Sequence, residues 1–281
     1  RGEALYGLPS DVTPMMMFYN RTLFSAAGVA EPPTGWTWDD WLADAQKLTV
    51  SSGGQTTRFG TALGTWAGMV WGNGGDLISA DGKRSLLNSP EAAAGVQFAA
   101  DMVNVHRVAP PPALAGGPDP VQLFKEQKVA MLPAPSTAAA DLTQSKLSFE
   151  WAIAPFPKGK VAATSLGVSG LALSAKTQNA GAALQFAAFA VGAEGQAALA
   201  NIMSFTAPAL RAATARPSNV AGADMIARSV DFGRTLPAIP QWPAIAKEVN
   251  TALVPVFQGS TTAEAAYRQV GPKINQLLTT G

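Results

Sequence analysis

The sequence has 281 residues, which predicts about two domains, because single domains commonly hold about 150 residues. Hydrophobic residues make up 47% of it, and 20 Lys and Arg against 19 Asp and Glu leave a formal charge of +1. Such a chain can bury a sizeable core, which argues against a disordered protein. Because nucleic-acid-binding proteins carry clustered positive charge and this chain shows none, we expect no nucleic-acid partner.

The side chains that most often hold metals or form covalent intermediates are scarce. The sequence has no cysteine and a single histidine, His106. This composition excludes disulfides, thiolate catalysis and metal sites built on two histidines. We therefore expect neither a metal nor another cofactor. No apolar run approaches the ~18 residues that a membrane-spanning helix needs.

The first third of the sequence predicts one strand and two helices. Residues 15–19 form an extended apolar run, and Asn20 is placed to cap a short helix that Gly28 ends. Thr37 and Asp40 resemble a capping box in which Asp replaces the usual Glu. Apolar residues recur behind this box at helical spacing, and we expect them to face the core. They are Trp38, Trp41, Leu42, Ala45 and Leu48.

The middle third predicts two helices and three strands. Ser89-Pro90 begins a long helix that runs towards His106, because proline suits the first helical position after a cap. By the same argument a second helix begins at Asp119-Pro120. Short apolar runs predict the three strands, at 128–132, 149–154 and 166–174.

The last third is mainly helical. Residues 180–191 and 193–203 predict a pair of helices divided at Gly192, and residues 217–222 predict a loop. Three further helices are predicted at 223–229, 242–258 and 262–278. We expect Gly271-Pro272 to kink or interrupt the last of them. Because helical and extended segments alternate along the chain, the sequence predicts an α/β fold.

Motifs of known enzymes are incomplete. Gly167 and Ser169 approach the nucleophile-elbow pattern G-x-S-x-G, but Leu171 stands where glycine avoids a clash in the strained turn. The acid pair Asp39-Asp40 opens a helix, where acids are favoured anyway. The sequence therefore predicts a protein that is not an enzyme. A glycan-active hydrolase is the alternative from another class, since its chemistry needs two carboxylates across a cleft that sequence alone cannot place.

A series of short motifs runs in order along the chain. They are Tyr6-Gly7-Leu8-Pro9, Phe18-Tyr19-Asn20-Arg21, Pro32-Pro33, Thr37-Trp38-Asp39, Asn73-Gly74-Gly75, Asn88-Ser89-Pro90-Glu91, Lys128-Val129-Ala130-Met131, Pro155-Phe156-Pro157 and Ile239-Pro240-Gln241-Trp242. No single motif is decisive, but their number and order are specific. Together they resemble the extracellular solute-binding proteins of family 1, the carbohydrate receptors of ABC importers.

The resemblance implies an α/β, periplasmic-binding-protein-like two-lobe fold of the class II type. In the family, the counterpart of the first motif lies well inside the polypeptide, so we expect a fragment with mainly the C-lobe and a partial N-lobe. The expected division is an N-lobe remnant with the first hinge crossing at 1–11, the C-lobe at 12–160, a hinge crossing with the returning N-lobe segment at 161–208, and C-lobe helices at 209–281.

The resemblance also implies a ligand site in the cleft between the lobes, where aromatic rings face the sugar. We predict ligand contacts for Trp66 and Trp71, which border the Asn73-Gly74-Gly75 loop, and for Trp242, which begins a helix beside the cleft in related proteins. The alternative for each tryptophan is core packing.

Three polar or small residues at the expected hinge crossings complete the predicted ligand-binding set. Asp11 follows the first crossing, where the family often has a polar residue that faces the cleft; its alternative role is a cap or turn. Gly167 and Ser169 lie in the second crossing, where backbone amides can approach a ligand; the alternative is a tight turn.

By resemblance, the function is that of the substrate-binding component of an ABC importer. It would bind a mono- or oligosaccharide and deliver it to the permease subunits. We expect a monomer outside the cytoplasm, in the periplasm or as a cell-surface lipoprotein, that meets the membrane only through an anchor or the permease. The alternative within the fold is a non-sugar solute: clustered Arg or Lys in the cleft would favour glycerol phosphate, and clustered carboxylates a polyamine.

Overall fold

The computed structural model describes residues 6–202, 205–210 and 219–279. Its strands are β1 (Leu8–Asn20), β2 (Val50–Ser52), β3 (Gln55–Thr61), β4 (Val129–Pro135), β5 (Trp151–Pro155), β6 (Thr164–Leu171), β7 (Ala207–Pro208) and β8 (Gly233–Thr235). Its helices are α1 (Arg21–Ala26), α2 (Trp38–Leu48), α3 (Trp66–Gly72), α4 (Pro90–Asn104), α5 (Pro120–Lys125), α6 (Ala138–Gln144), α7 (Ala180–Val191), α8 (Ala193–Ile202), α9 (Met225–Ser229), α10 (Trp242–Phe257) and α11 (Ala263–Thr279).

The eight strands form one sheet with the order β2-β3-β4-β1-β6-β8, in which β5 and β7 also pair with β1. Strand β1 has different partners along its two halves. Its first half, from Leu8 to Pro14, pairs antiparallel with β6 and β7. Its second half, from Met15 to Asn20, pairs antiparallel with β4 on one side and β5 on the other. The second half is central in its sheet, which explains why its apolar residues are almost continuous and buried.

The larger core packs α2, α3, α4, α10 and α11 against the second half of β1 and its neighbours. Trp38 stacks on Phe98 with ring centroids 4.8 Å apart. The indole of the buried Trp41 donates a hydrogen bond of 2.9 Å to Thr61 Oγ1. Both tryptophans are therefore core residues, as their helical spacing predicted.

The N-termini of the helices form as their capping residues predict. Thr37 and Asp40 make the complete capping box of α2, and the hydrogen bonds from Thr37 lower the pKa of the Asp40 carboxyl. Asn20 caps α1 and Ser89 caps α4, each by accepting a hydrogen bond from a backbone N–H. The side chain of Asp119 does the same for α5. These four helices begin where the sequence predicted.

Helices α7 and α8 lie beside the first half of β1, and α7 leaves most of its apolar surface uncovered. Ala187 is the one residue of α7 that is buried. Leu184, Phe186 and Phe189 are 55%, 67% and 56% exposed. On β6, Val168 is 55% exposed as well. An apolar surface of this kind is typical of a face that meets another protein segment.

The last helix was predicted to be kinked or interrupted at Gly271-Pro272, and the structure excludes the interruption, because α11 continues through both residues. A Cβ on Gly271 would lie 2.6 Å from Asn88 Nδ2, so glycine allows the helix to approach the loop before α4. Buried Tyr267, Val270 and Ile274 hold the same face of α11 against the core. This packing outweighs the backbone hydrogen bond that proline removes.

Other differences concern short elements. The strands β2, β3, β7 and β8 and the helices α3 and α6 were not predicted. Strand β6 begins at Thr164 and ends at Leu171, earlier than the predicted 166–174. Of the predicted segments at 193–203 and 217–222, Met203, Pro217 and Ser218 lie outside the described residues.

The contact between α3 and α4 gives a first prediction. A Cβ on Gly95 would lie 2.3 Å from the backbone oxygen of Met69, which has no room to move within α3. We expect Gly95→Ala to lower the free energy of unfolding by about 2 kcal/mol, measured by urea denaturation.

Gly181→Ala is the matched control, since nothing lies within 4 Å of a Cβ at that position in α7. Alanine should leave stability unchanged or raise it by up to about 1 kcal/mol. Equal effects of the two changes would contradict the close packing of α4 on α3.

Candidate functional site

Asp11 and Ser169 lie opposite each other on β1 and β6, although they are 158 positions apart in sequence. Asp11 is 5% exposed. Its Oδ1 accepts a 3.1 Å hydrogen bond from Ser169 Oγ, and its Oδ2 accepts one of 2.9 Å from Ser10 Oγ. Two of the predicted site residues therefore form one polar pair, in which Asp11 is buried and Ser169 is exposed.

Gly167 lies opposite Thr13, the next position on the same face of both strands. A Cβ at position 167 would lie 2.5 Å from Thr13 Oγ1, so the absence of a side chain leaves room for that hydroxyl. Met15 and Ser165 follow two residues further along their strands. Because side chains alternate along a strand, all of these residues share the face that carries Asp11.

This face leads to the start of α3. The hydroxyl oxygens of Ser165 and Thr65 are 2.8 Å apart. Thr65 also caps α3, since its Oγ1 accepts a hydrogen bond from Gly68 N at 3.4 Å. The polar face of β1 and β6 is thereby joined to the residue just before Trp66.

Trp66 and Trp242 form an aromatic pair. Their ring centroids are 6.3 Å apart with an interplanar angle of 35°, and both residues are half-buried. Trp66 Nε1 donates a 2.9 Å hydrogen bond to Asn250 Oδ1, and Asn250 lies about two turns beyond Trp242 on α10. The ring contact and the hydrogen bond to Asn250 thus hold the pair in place, while part of its apolar surface is exposed to solvent.

A groove with a volume of about 260 Å³ lies beside Thr65 and Met15. Its wall consists mainly of apolar side chains and proline rings from the segment between α4 and α5 and from the ends of β3 and β4. The lining residues are Met15, Ala62, Leu63, Gly64, Thr65, Pro110, Pro111, Pro112, Ala113, Leu114, Pro118, Pro120 and Pro133.

Trp71 is separate from the aromatic pair. It is 2% exposed and lies in the larger core, where its Nε1 donates a 3.2 Å hydrogen bond to Asp76 Oδ1. The guanidinium of Arg234 lies over its ring, 5.6 Å from the centroid, and pairs with Asp76 at 2.7 Å. The indole ring of Trp71 is therefore buried and already contacted by Asp76 and Arg234.

Sequence reasoning missed Thr65, Ser165, Asn250, Asp76 and Arg234. Thr65 carries a local signal, because a threonine before a helix start is a typical cap. The others carry none: Arg234 and Asp76 are 158 positions apart, and Trp66 and Asn250 are 184 apart. Such pairs depend on the tertiary fold.

The approach to a nucleophile elbow is not realised in the structure. Ser169 lies within β6, whereas the elbow places its serine on a turn from strand to helix. Its hydroxyl donates to the carboxylate of Asp11 across the two paired strands, which holds the hydroxyl within the sheet. The geometry of Ser169 is that of a structural or binding hydroxyl.

Comparison with known proteins assigns the family. The model of the bacterial extracellular solute-binding proteins matches residues 1–197, which is more than half of the chain. The chain belongs to this family. The members are extracellular receptors, so the protein acts outside the cytoplasm. Among the residues that the structure describes, no helix is long and apolar enough to cross a membrane.

The similar proteins are binding proteins. The diacetylchitobiose binding protein DasA of Streptomyces coelicolor is 25% identical over 97% of this chain and 66% of its own. An ABC substrate-binding protein of Listeria monocytogenes, solved in complex with cycloalternan, is 25% identical with a TM-score of 0.87 and covers 98% of this chain and 72% of its own.

The GacH receptor of Streptomyces glaucescens, solved with acarbose, is a further structural relative. It has a TM-score of 0.80 and 21% identity over 99% of this chain and 72% of its own. These matches establish the periplasmic-binding-protein-like two-lobe fold that the motifs implied.

The fit between Gly167 and Thr13 gives a second prediction. Gly167→Ala should lower the free energy of unfolding by about 1 kcal/mol, because the new methyl group displaces the Thr13 hydroxyl. Thr13→Ala in the same chain should recover most of this loss.

The measurement is a double-mutant cycle by urea denaturation, in which the two changes should be coupled by at least about 0.5 kcal/mol. Strict additivity would show that the two positions do not face each other.

Proposed function

We propose that the protein is the substrate-binding component of an ABC importer and binds a carbohydrate beside Trp66 and Trp242. The observation that carries the proposal is this aromatic pair, with ring centroids 6.3 Å apart on two different helices. The apolar face of a sugar ring packs well on an open aromatic surface. Relatives that bind diacetylchitobiose, cycloalternan and acarbose support the same ligand class.

The polar face of β1 and β6 would supply hydrogen bonds to the sugar hydroxyls. Thr13, Ser165 and Ser169 each make one hydrogen bond within the protein, and their hydroxyl oxygens keep lone pairs that can accept from a sugar hydroxyl. Asp11 holds Ser169 in place, and Gly167 leaves room for the Thr13 hydroxyl. We thus retain Asp11, Gly167, Ser169, Trp66 and Trp242 as the ligand-binding set. Trp71 is buried, and in this proposal it positions Asp76 and Arg234 instead of contacting the ligand.

The charges beside this face favour a neutral ligand over the alternatives. Arg234 and Asp76 form an ion pair and balance each other, so this pair adds neither the net positive charge that suits glycerol phosphate nor a carboxylate cluster that suits a polyamine. The sugar stays the first candidate for this reason.

The lobes would meet at β1 and β6. In this proposal, residues 12–160 and 209–281 form the C-lobe, and residues 1–11 and 161–208 belong to the N-lobe. The two antiparallel strands that cross between them would bend when the lobes close on the ligand. Support comes from the division of β1, whose two halves pair with different strands.

The exposed face of α7, formed by Leu184, Phe186 and Phe189, fits this division. We infer that it packs against further polypeptide of the N-lobe, since this chain matches 72% of the Listeria protein. An exposed apolar patch of that kind is typical of a surface meant to be covered.

The proposal includes a monomeric receptor without enzymatic activity, either free in the periplasm or anchored as a lipoprotein, that delivers its ligand to the permease. Release of reducing sugar by the purified chain would contradict the binding role and favour a glycan-active hydrolase. Binding of one ligand per chain without turnover supports the receptor.

A third prediction tests the aromatic pair. The first measurement is a thermal-shift panel of mono-, di- and trisaccharides, glycerol phosphate and spermidine. We expect a saccharide to raise the melting temperature, since ligand at ~100 times its Kd raises the free energy of unfolding by about 2.7 kcal/mol. Trp66→Ala and Trp242→Ala should each weaken that binding about tenfold, or about 1.4 kcal/mol, measured by calorimetry.

Trp151→Phe is the control, because Trp151 contacts Phe18, which belongs to a second group of buried residues with Phe124 and Leu132, and takes no part in the aromatic pair. It should leave the Kd unchanged. Sugar binding that survives loss of both Trp66 and Trp242 would overturn the assignment of the site, and a shift with spermidine or glycerol phosphate alone would overturn the ligand class.

A fourth prediction concerns the face of α7. The double change Phe186→Ser and Phe189→Ser should alter the stability of this chain by no more than about 0.5 kcal/mol, because both rings are exposed. In a chain that also carries the relatives' remaining N-lobe segment, it should cost at least about 3 kcal/mol.

Val105→Ser is the control for this experiment, since Val105 is 65% exposed next to α4. It should have little effect in either chain. A double change on α7 that costs the same in both chains would show that the extra segment does not cover this face.

A further inference from the structure

The groove beside Thr65 is lined mainly by apolar residues and prolines. Six of its lining residues are prolines, at positions 110, 111, 112, 118, 120 and 133. Proline has no backbone N–H, so these positions cannot donate a hydrogen bond. Met15, Ala62, Leu63, Ala113 and Leu114 add aliphatic surface.

Three polar groups at or next to the groove already make hydrogen bonds within the protein. Thr65 Oγ1 lies 2.8 Å from Ser165 Oγ and accepts from Gly68 N. Trp66 Nε1 donates to Asn250. The carbonyl of Pro112 accepts from the N–H groups of Ala115 and Gly117. A hydroxyl group beside these three would therefore compete with a bond that the protein already makes.

The volume fits a single substituent. At about 260 Å³ the groove is smaller than the ~300–1,000 Å³ of pockets that enclose a whole ligand. It is larger than the ~150 Å³ cavity that accommodates benzene in an engineered protein core. Its wall is held by the segment around the 3₁₀ helix Ala113–Ala115, which packs against α10, the helix that carries Trp242.

We propose that this groove binds an alkyl or aryl substituent of the ligand, while the sugar ring lies on Trp66 and Trp242. This inference rests on the proposed function and narrows the substrate class to carbohydrates that carry an apolar group. Thr65 lines the groove and immediately precedes Trp66, so one ligand can occupy both places.

The test uses Met15, which lines the groove, as a reporter. The protein is labelled with ¹³C at its methionine methyl groups, and the Met15 signal is assigned by its loss in Met15→Leu. Benzyl alcohol is the apolar probe and xylitol the polyhydroxyl control. We expect the Met15 signal to shift saturably with benzyl alcohol and to stay unchanged with xylitol at the same concentration.

Leu114→Asn should weaken the response to benzyl alcohol at least fivefold by placing an amide in the groove wall. Leu184→Asn, on the exposed face of α7, should leave it unchanged. If Leu114→Asn fails to fold, Ala113→Phe serves instead, because Ala113 is exposed and a phenyl ring there reduces the groove volume.

The outcomes separate the groove from the sugar site. An unshifted Met15 signal, an equal response to xylitol, or a shift that Leu114→Asn does not reduce would overturn the inference even where a saccharide binds. A specific Met15 response without saccharide binding in the thermal panel would instead overturn the proposed function.

For a saccharide that binds, its phenyl glycoside should bind at least tenfold more tightly than its methyl glycoside, and equal affinities would overturn the inference.

Discussion

The structure depends on the pairing of β1 with strands on both of its sides. The second half of β1 makes hydrogen bonds to β4 and β5, and the first half to β6 and β7. One continuous backbone therefore fixes the position of the core relative to the polar face of β6. The candidate site follows from this constraint, because Met15 lines the groove and Asp11 binds Ser169 from the same strand.

The sequence predicted the elements that depend on local chemistry. Caps at Asn20, Thr37, Ser89 and Asp119 are short-range signals, since a side chain meets a backbone N–H two or three residues away. The continuation of α11 through Pro272 was not predictable, because it depends on the packing of Gly271 against Asn88. Strands as short as β7 and β8 carry too few residues for a periodic pattern to appear.

The candidate site was predictable in part. The motif resemblance selected Trp66 and Trp242, and the structure brings them together, while it buries Trp71 under Arg234. Neighbouring tryptophans in sequence thus have different surroundings, because Trp66 begins α3 and Trp71 lies at its buried end. Helical position alone does not separate them, since the burial of each depends on α10 and β8, which come much later in the chain.

The aromatic pair also constrains how the protein folds. Trp66 and its partner Asn250 are separated by 184 positions, so their contact closes nearly two thirds of the chain into one loop. Contacts of such high sequence separation form slowly, because the entropy of loop closure is lost before the contact stabilises the chain. We therefore expect this contact to form after the local helices and hairpins. Because Trp66 lies on α3 and Asn250 on α10, the contact requires that the first and last thirds of the chain have come together.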